Sequence, residues 1–544
     1  MAKKRIVALM TIFILLFTFL LARVSWLTIF QGHELAAKAI NQRSYKLDYY
    51  QYNRGDFLDT FGRHLTGLES PCLIAFPSMI KDQEQLADKL SEIIGVDNDL
   101  ILGRFLRGEK QGLQALILKT DLDAQEISSL KLLQDRGIAT LPLMVRYRSG
   151  APAVHTLGYL SQGETAKDYR GASGLEKQYD AYLQGKNSPQ AAVVVYEGGS
   201  DMPKDDFMLL ANEQKDNSHN LVLTLNLDFQ EKVESALAGQ NGGAVVMDVK
   251  NGDILALASE PKIDPNFLQK PLGDNAYINK AVSNYPPAST FKILIALAAL
   301  EEKIPLDNQY NCQGFIKLAD GHIMRCWHKP GHGQEDIYLA LANSCNPYFI
   351  NLGLKLGGEN IKKYAQLLGL TEQKIIGYDL NPKKHLQFQN NVLADVANAS
   401  IGEKGVRLSP LMLCQLISTV ANGGERVYPR LVKEIVNVQG DIVKSFPQIS
   451  PQQVVSRENA QKVADMMALA VEKGTASRAK NELISVGGKT GTAQNAGVWF
   501  GGFAPLDDPR WAIAVYLEDA EAGGKEGAEV FSRIVQDLAV LSGF

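Results

Sequence analysis

The chain has 544 residues, of which 45% are hydrophobic and 21% are charged, and its formal net charge at pH 7 is −4. A chain of this length exceeds what one hydrophobic core supports, so the sequence predicts at least two domains. The charge balance is slightly acidic and lacks the basic excess that is typical of nucleic-acid binding. Nucleic acid is therefore not an expected partner.

An apolar stretch near the amino terminus predicts a membrane anchor. Residues 6–30 contain a single charge, Arg23, and as a helix they are long enough to cross a bilayer. Basic residues at positions 3–5 precede the stretch, so residues 1–5 are predicted to stay in the cytoplasm and the rest to lie outside. The alternative is a cleaved signal peptide, but the stretch is long for one and no small-x-small cleavage motif follows it.

Residues 31–220 carry no catalytic signature, and we interpret them as an N-terminal spacer or interaction domain. Three amphipathic helices are predicted in this region, at Asp82–Ile94, Asp123–Gln134 and Ser173–Leu183. The catalytic domain is predicted to occupy residues 221–544.

From residue 221 onward, predicted strands lie at both ends of the sequence and predicted helices lie between them. The strands are expected at 220–226, 242–249, 252–258, 484–492, 498–504 and 511–517, and the helices at 227–238, within 289–370, within 394–421 and at 527–541. This order predicts an α+β fold, because a regular βαβ repeat would alternate strands and helices throughout.

The stretch Tyr285–Lys292, of sequence Tyr-Pro-Pro-Ala-Ser-Thr-Phe-Lys, carries the first chemical signal. Prolines are tolerated in the first turn of a helix, so a helix is predicted to begin near Ala288 or Ser289. Ser289 and Lys292 then lie at i and i+3, close enough for their side chains to meet. A serine hydroxyl needs a base to become a nucleophile, and burial near a helix amino terminus favours a neutral lysine. The pair is therefore a candidate nucleophile and base.

Ser-x-x-Lys alone is a weak motif, because it also begins at Ser78, Ser128 and Ser477. At those positions a surface serine and a solvated lysine are the simpler interpretation. Ser289 differs because two prolines precede it, an apolar helix follows it, and two further patterns lie downstream.

These two patterns complete the candidate site. Ser344-Cys345-Asn346 follows a predicted apolar helix and offers a hydroxyl that can pass a proton and an amide that can hold a peptide carbonyl. Lys489-Thr490-Gly491-Thr492 lies on a predicted strand, and its charge and two hydroxyls suit a carboxylate, while its glycine lets a ligand approach the backbone. A P-loop is excluded there, because Leu483 stands where that motif needs glycine.

In this order, the motifs resemble those of class B penicillin-binding proteins, which are peptidoglycan D,D-transpeptidases. The resemblance covers nearly the whole chain and implies an antiparallel transpeptidase sheet with helices on both faces, an elongated spacer of the dimerisation or pedestal type, and one transmembrane helix. Its further elements are Arg54-Gly55 with Asp59 and Gly62, Ser173–Glu176 with Tyr179, Gly242–Val245, Gly331–Gly333, Gln494 and Trp499–Pro505.

The resemblance also implies roles. Ser289 would attack the penultimate D-alanine carbonyl of a stem pentapeptide and form an acyl-enzyme, with Lys292 as the base and Ser344 relaying a proton to the leaving D-alanine. The residues that would bind substrate are Asn346 for its amide and Lys489, Thr490, Gly491 and Thr492 for its carboxylate. The backbone N–H groups of Ser289 and Thr492 would form the oxyanion hole. The amine of a second stem peptide would then resolve the acyl-enzyme into a cross-link, and β-lactams would acylate the same serine.

Alternatives from other classes remain. A membrane-bound β-lactam sensor would normally have more membrane spans or a cytoplasmic protease domain. A β-lactamase is usually about half as long and must hydrolyse its acyl-enzyme quickly. A catalytically idle scaffold has no use for the intact motifs. The resemblance implies a membrane glycosyltransferase of the SEDS type as a partner. The sequence departs from the family pattern at Asp59–Gly62. It departs again at Glu403-Lys404-Gly405, because a Gly-Gln-Gly run is more usual at that second position.

Five cysteines are too few for a disulfide scaffold. Cys312 and Cys326 flank a short polar loop, where a disulfide is plausible but optional. The set of Cys312, Cys326, His328, His332 and Cys345 has no standard zinc spacing, so a disulfide or free thiols are favoured over a metal, and no cofactor is expected.

Overall fold

The computed structural model describes residues 2–32, 35, 44–47, 54–133, 135–162, 169–184, 191–195, 207–211, 218–266, 275–493, 496–520 and 524–544. Gln494, which the sequence analysis assigned to a motif, lies outside them, as do most residues between 33 and 53. The chain forms two compact units, one of residues 1–53, 69–145 and 187–215 and the other of residues 54–68, 146–186 and 216–544.

The first unit contains the amino-terminal helix and a small α/β layer. The helix Ala2–Phe30 includes the segment Lys3–Phe30, the one described helix that is long and apolar enough to cross a membrane, with a mean hydropathy of 2.5 and no buried part. Leu68–Ala75 is the central strand of a sheet between Leu116–Lys119 and Ile138–Val145, and this sheet is accompanied by the helices Gln83–Ile94, Asn98–Lys110 and Ala124–Leu133. A second sheet contains Ser44–Leu47, Ala191–Val195 and Phe207–Ala211.

Two predicted helices of this unit are confirmed to within a residue at each end. Asp82 caps the first helix by accepting a hydrogen bond from the backbone N–H of Gln85, and Gly95 ends it in the left-handed conformation that favours glycine. Asp123 likewise accepts from the backbone N–H of Glu126 at the start of the other helix. Local capping signals of this kind can be recognised in a sequence, which is why these boundaries were predictable.

The second unit is built on a five-stranded antiparallel sheet. Its strands in chain order are β1 Gly242–Asp248, β2 Ile254–Glu260, β3 Gly487–Thr492, β4 Val498–Ala504 and β5 Trp511–Leu517. Their spatial order is β2-β1-β5-β4-β3, which places β3 at an edge.

Helices cover both faces of this sheet, as an α+β fold requires. The helices used below are α1 Leu227–Leu237, α2 Lys292–Glu301, α3 Ile337–Ala342, α4 Asn346–Leu356, α5 Pro410–Ala421, α6 Arg457–Lys473 and α7 Lys525–Leu541. Val246 and Val515 belong to the core that contains Phe531 of α7, whereas their strand neighbours Met247 and Ala514 belong to the core of α2 and α5. This alternation follows from the period of two along a strand, and it confirms the predicted fold class.

The remaining described elements of this unit are short. A second sheet has the order Ile442–Ser445, Val432–Val436, Asn220–Leu223 and Phe57–Leu58. The two-stranded pairs are Tyr310–Cys312 with Gly333–Glu335, Phe315–Lys317 with Ile323–Arg325, Glu425–Arg426 with Gln452–Gln453, and Leu160–Gln162 with Tyr169–Gly171. The other helices are Val154–Leu157, Gly174–Gln178, Asp180–Leu183, Gly358–Leu367 and Leu393–Ser400, and 3-10 turns lie at Lys280–Val282, Ala288–Phe291 and Ser477–Ala479.

Two predictions were wrong in detail. Helices do not dominate all of residues 289–370, because two pairs of strands, one inside the other, lie between 310 and 335. Gly314, Gly321 and Gly331 adopt positive φ angles there, which interrupt any helix. The single helix predicted over Ser173–Leu183 is two short helices that meet at Tyr179, which is buried and donates its hydroxyl hydrogen to the carbonyl oxygen of Gly377.

A buried ion-pair cluster lies in this unit. Glu176 accepts hydrogen bonds from Arg54, Arg146 and Tyr147, each with a shortest distance of 2.7 Å, and each of these four residues is at most 3% exposed. Burial alone raises the pKa of the Glu176 carboxyl, but the charges of Arg146 and Arg54 outweigh it, so the pKa lies below its ordinary value. Glu176 is therefore ionised and paired.

Candidate active site

Ser289 lies in a 3-10 turn, Ala288–Phe291, that leads directly into α2. The helical segment therefore begins where the prolines predict, although its first turn is tighter than an α-helix. Ala288 has a φ of 49°, which is strained for a residue with a side chain. Three hydrogen bonds hold the turn: Ala288 N–H to Gly402 O (2.9 Å), Trp499 Nε1–H to Pro286 O (2.8 Å) and the Thr290 hydroxyl to Pro287 O (2.6 Å).

Lys292, the first residue of α2, is fully buried. Its Nζ donates to the carbonyl oxygen of Ser344 at 2.8 Å, to Oδ1 of Asn346 at 2.7 Å and to the hydroxyl of Ser344 at 3.4 Å. Burial lowers its pKa to about 8, against the opposing effect of negative charge on Cys345, Cys326 and Glu403. The expected direct contact with Ser289 is not among the hydrogen bonds of the described residues, because the hydrogens of Nζ are directed to the Ser-x-Asn segment.

The Ser344–Asn346 segment joins α3 to α4, as predicted. Ser344 has a φ of 57°, a left-handed conformation that is uncommon for serine. The segment is fixed by Cys345 N–H donating to Ala340 O at 2.8 Å and by the indole N–H of Trp327 donating to Asn343 O at 2.9 Å. These bonds hold the hydroxyl and the amide beside Lys292.

The Lys489–Thr492 motif forms most of edge strand β3. Lys489 is fully buried and Thr490 nearly so, whereas Thr492 is exposed. Nζ of Lys489 donates to the carbonyl oxygen of Thr490 at 2.9 Å, and burial followed by the charge of Lys292 lowers the pKa of Lys489 well below its ordinary value. A β-carbon added at Gly491 would lie 2.9 Å from Pro287 O, so this glycine allows β3 to pack against the turn that contains Ser289.

The two buried lysines leave positive charge available in the site. Within the described ranges, neither Lys292 nor Lys489 makes a salt bridge with a carboxylate. A buried cation without a counter-charge is costly, and an anionic ligand reduces that cost. The structure thus brings together Lys292, Ser344 and Asn346, and it packs the Lys489 strand against the turn of Ser289.

Two residues near the site had no interpretation in the sequence. Thr475 follows α6, and its hydroxyl lies 2.9 Å from the hydroxyl of Thr490. Glu403 follows Gly402, whose carbonyl oxygen accepts a hydrogen bond from the backbone N–H of Ala288. Burial raises the pKa of the Glu403 carboxyl above its ordinary value, although the charge of Lys292 opposes this shift. A Gly-Thr pair after a helix signals only a helix end, so Thr475 could not have been recognised from local sequence.

Four potential metal ligands converge beside the Ser-x-Asn segment. The ligand atoms of Cys312, Cys326, His332 and Cys345 all lie within 4.8 Å of one another, and the three thiols are buried and free. Nδ1 of His332 is 3.8 Å from Sγ of Cys312 and 3.5 Å from Sγ of Cys326. Tetrahedral zinc with bonds of about 2.0–2.3 Å separates its ligands by roughly 3.5–3.8 Å. This Cys₃His set therefore has the chemistry and spacing of a structural zinc centre.

This cluster changes the expectation for the cysteines. All five cysteines are free, so the optional disulfide between Cys312 and Cys326 is not formed. His328 is outside the cluster, with its ring centroid 5.0 Å from that of His332. The sequence groups these four residues with His328 but favours thiols or a disulfide, because the spacing is not a standard one for zinc. The strand pairs between residues 310 and 335 bring the four ligands together despite that spacing.

Comparison with known families identifies two domains in the chain. Residues 242–536, more than half of the chain, match the model of the penicillin-binding protein transpeptidase domain. Residues 50–201 match the model of the penicillin-binding protein dimerisation domain. The first match contains every candidate catalytic and binding residue, and the second lies within the region interpreted as a spacer.

Individual relatives point the same way. Stage V sporulation protein D of Bacillus subtilis is 28% identical over 575 aligned residues, covering 98% of this chain and 85% of its own. Peptidoglycan D,D-transpeptidase MrdA of Acinetobacter baumannii is 27% identical over 398 residues, covering 65% and 58%. The penicillin-binding protein PBP2 of Helicobacter pylori has the same fold, with a TM-score of 0.66 at 23% identity over 92% of this chain and 100% of its own. The chain belongs to the penicillin-binding protein transpeptidase family.

Proposed function

We propose that Ser289 is the acyl-accepting nucleophile of this peptidoglycan D,D-transpeptidase and that Lys292 is its base. The observation that carries the proposal is the fully buried Lys292, which begins the helix after Ser289 and has no carboxylate partner among the described residues. Burial lowers its pKa to about 8, so a useful fraction of the amine is neutral at physiological pH. In the reaction, Oγ of Ser289 forms a bond to the penultimate D-alanine carbonyl while Lys292 takes the hydroxyl proton.

The proton then has a short route to the leaving group. The hydroxyl of Ser344 is 3.4 Å from Nζ of Lys292, so it can receive the proton and pass it to the amine of the departing D-alanine. Asn346 accepts a hydrogen bond from Lys292 through Oδ1, and its Nδ2 donates one hydrogen to Arg325 O at 3.4 Å, which leaves the other for a substrate carbonyl oxygen. In this role Asn346 orients both the base and the substrate amide.

The motif on β3 binds the opposite end of the substrate. Lys489 supplies positive charge, and the hydroxyls of Thr490 and Thr492, which alternate with Gly491 and so share a face of the strand, donate to the terminal carboxylate. The backbone N–H groups of Ser289 and Thr492 form the oxyanion hole, supported by the close approach that Gly491 permits. The amine of a second stem peptide attacks the acyl-enzyme and completes the cross-link. A β-lactam acylates the same serine.

We further propose the membrane arrangement that the sequence predicts. Residues 6–30 cross the membrane once, residues 1–5 are cytoplasmic, a spacer of residues 31–220 follows, and the transpeptidase domain of residues 221–544 is extracytoplasmic. The apolar, unburied helix Lys3–Phe30 supports this arrangement. A SEDS-type membrane glycosyltransferase is proposed as the partner of the anchor and spacer, on the basis of the family resemblance.

The proposal is tested by mass spectrometry of the detergent-solubilised full chain after incubation with a labelled penicillin. A long-lived adduct on the peptide that contains Ser289 is expected, and it should be absent from Ser289→Ala. Ser477→Ala is the matched control, because Ser477 begins another Ser-x-x-Lys pattern and also lies in a 3-10 turn. A folded protein that forms no adduct would overturn the catalytic assignment, and an adduct that clears within seconds would indicate a β-lactamase.

A further inference from the structure

Thr475 occupies a position between two of the three motif segments. It follows Gly474, at which α6 ends, and its backbone N–H donates to Ala342 O at 3.0 Å. Ala342 is the last residue of α3, two residues before Ser344. A β-carbon at Gly474 would lie 2.3 Å from Ala342 O, so only glycine allows the chain to pass this close. Thr475 is thereby held against the start of the Ser-x-Asn segment.

The hydroxyl of Thr475 has two neighbours. One is the carbonyl oxygen of Ala342 at 3.2 Å, which already accepts the Thr475 backbone N–H, and the other is the hydroxyl of Thr490 at 2.9 Å. Thr490 is 5% exposed and Thr475 is half-buried, so bulk water does not easily replace the bond between them. The pair links the end of α3 to strand β3.

The direction of this bond decides what Thr490 can offer a ligand. A threonine hydroxyl has one hydrogen and two lone pairs. If Thr490 donates to Thr475, its hydrogen is used and it presents only lone pairs, which repel a carboxylate. If Thr475 donates to Thr490, the hydrogen of Thr490 is free for a ligand. The second arrangement costs little at Ala342, because its carbonyl oxygen keeps the backbone N–H of Thr475.

We propose that Thr475 is a positioning residue that donates to Thr490 and so turns the Thr490 hydroxyl hydrogen toward the terminal carboxylate of the substrate. The inference rests on the proposed function, in which Thr490 binds that carboxylate. A rotation of two hydroxyl groups switches the pair from a closed bond to a donor aimed at the ligand, with no movement of heavy atoms. Thr475 therefore contributes to the preference for substrates that end in a carboxylate.

The test compares two acyl donors that differ only at that end: a β-lactam with its free carboxylate and the carboxamide of the same compound. Acylation of Ser289 is followed by mass spectrometry in wild type, Thr475→Val, Thr475→Ser and Thr475→Ala. Valine keeps the shape and the backbone bond of threonine but has no hydroxyl, whereas serine keeps the hydroxyl. Thr419→Val is the matched control, because it removes a buried hydroxyl that bonds to Gln415 O within α5.

Loss of a hydrogen bond that supports a charged ligand is expected to slow acylation by the carboxylate compound roughly tenfold in Thr475→Val and Thr475→Ala. The carboxamide rate should stay within about twofold of wild type, and Thr475→Ser and Thr419→Val should keep the wild-type preference. An equal loss with both compounds, or no loss with either, would overturn the inference. Wild type that neither compound acylates would instead overturn the proposed function, so the two failures are distinguishable.

Discussion

The buried charges around Glu176 and those of Lys292 and Lys489 in the candidate active site differ in one respect. Arg54 and Arg146 are paired with Glu176, which accepts hydrogen bonds on both carboxylate oxygens. Lys292 and Lys489 are buried to a similar degree, but across the described ranges their Nζ atoms contact only neutral oxygens. Both regions carry the desolvation cost of buried charge, and only the Glu176 cluster compensates it within the protein.

This difference indicates what each cluster does. The paired cluster holds the elements around Glu176 in place, and its cations already have carboxylate partners within the protein. In the candidate active site, desolvation lowers the pKa of both lysines, which favours the proposed roles of Lys292 as a neutral base and of Lys489 as a partner for an anionic ligand. Substitutions that remove members of either cluster test this difference.

The largest effect is expected from Lys292→Met, which keeps the length of the side chain and removes the amine. Loss of a general base should slow acylation of Ser289 by about 10²–10⁴-fold. Stability should not fall, because methionine removes a buried ammonium that has no counter-ion in the described structure. Stopped-flow acylation with a fluorescent penicillin and a thermal melt measure the two quantities. Unchanged acylation would exclude Lys292 as the base.

Glu176→Gln should lower stability, because it removes the carboxylate that two buried guanidinium groups share and leaves Arg54 paired only with Asp180 and Arg146 only with Asp56. We expect a loss of about 3–5 kcal/mol in the free energy of unfolding. Any molecules that remain folded should be acylated at the wild-type rate. Glu302→Gln is the control, since its ion pair with Lys363 is partly exposed and should contribute little to stability. Equal destabilisation by the two variants, measured by urea unfolding, would contradict the comparison.

Lys489→Met should reduce acylation by a compound that carries a carboxylate roughly a hundredfold, because a buried charge partner of the ligand is lost. The carboxamide analogue should lose much less, since it has no charge to pair. Parallel acylation assays with the two compounds measure the difference. If both slow equally, Lys489 does not recognise the carboxylate.

A smaller effect is expected from metal removal. The purified chain should contain zinc in an equimolar amount, and chelation should lower its melting temperature by a few degrees without unfolding the rest of the domain. Cys312→Ser should lose the zinc, measured by elemental analysis, whereas Cys72→Ser should keep it, because Cys72 lies outside the cluster. Zinc-free protein whose melt is insensitive to chelators would show that the thiols are merely packed together.

Local sequence was sufficient for the three motifs and for most of the elements that carry them. Prolines before Ser289, an apolar helix before Ser344 and alternation around Lys489 are signals within about ten residues of the chemistry. The contacts that tune the site are long-range. The hydroxyl of Thr475, just after the end of α6, lies 2.9 Å from the hydroxyl of Thr490. The amine of Lys292 donates to Ser344 and Asn346, although a contact with Ser289 was predicted.

The pH dependence of acylation tests the assignment of Lys292 as the base. If the neutral amine of Lys292 is the base, its pKa of about 8 means that the reactive fraction falls tenfold per pH unit below that pH. The rate of Ser289 acylation by a penicillin that does not itself titrate between pH 6 and 10 is the quantity to measure. With Lys292 as the base, the acylation rate should rise with pH and level off above about pH 8. A flat profile, or one that keeps rising to pH 10 as an ordinary lysine would give, would contradict this assignment.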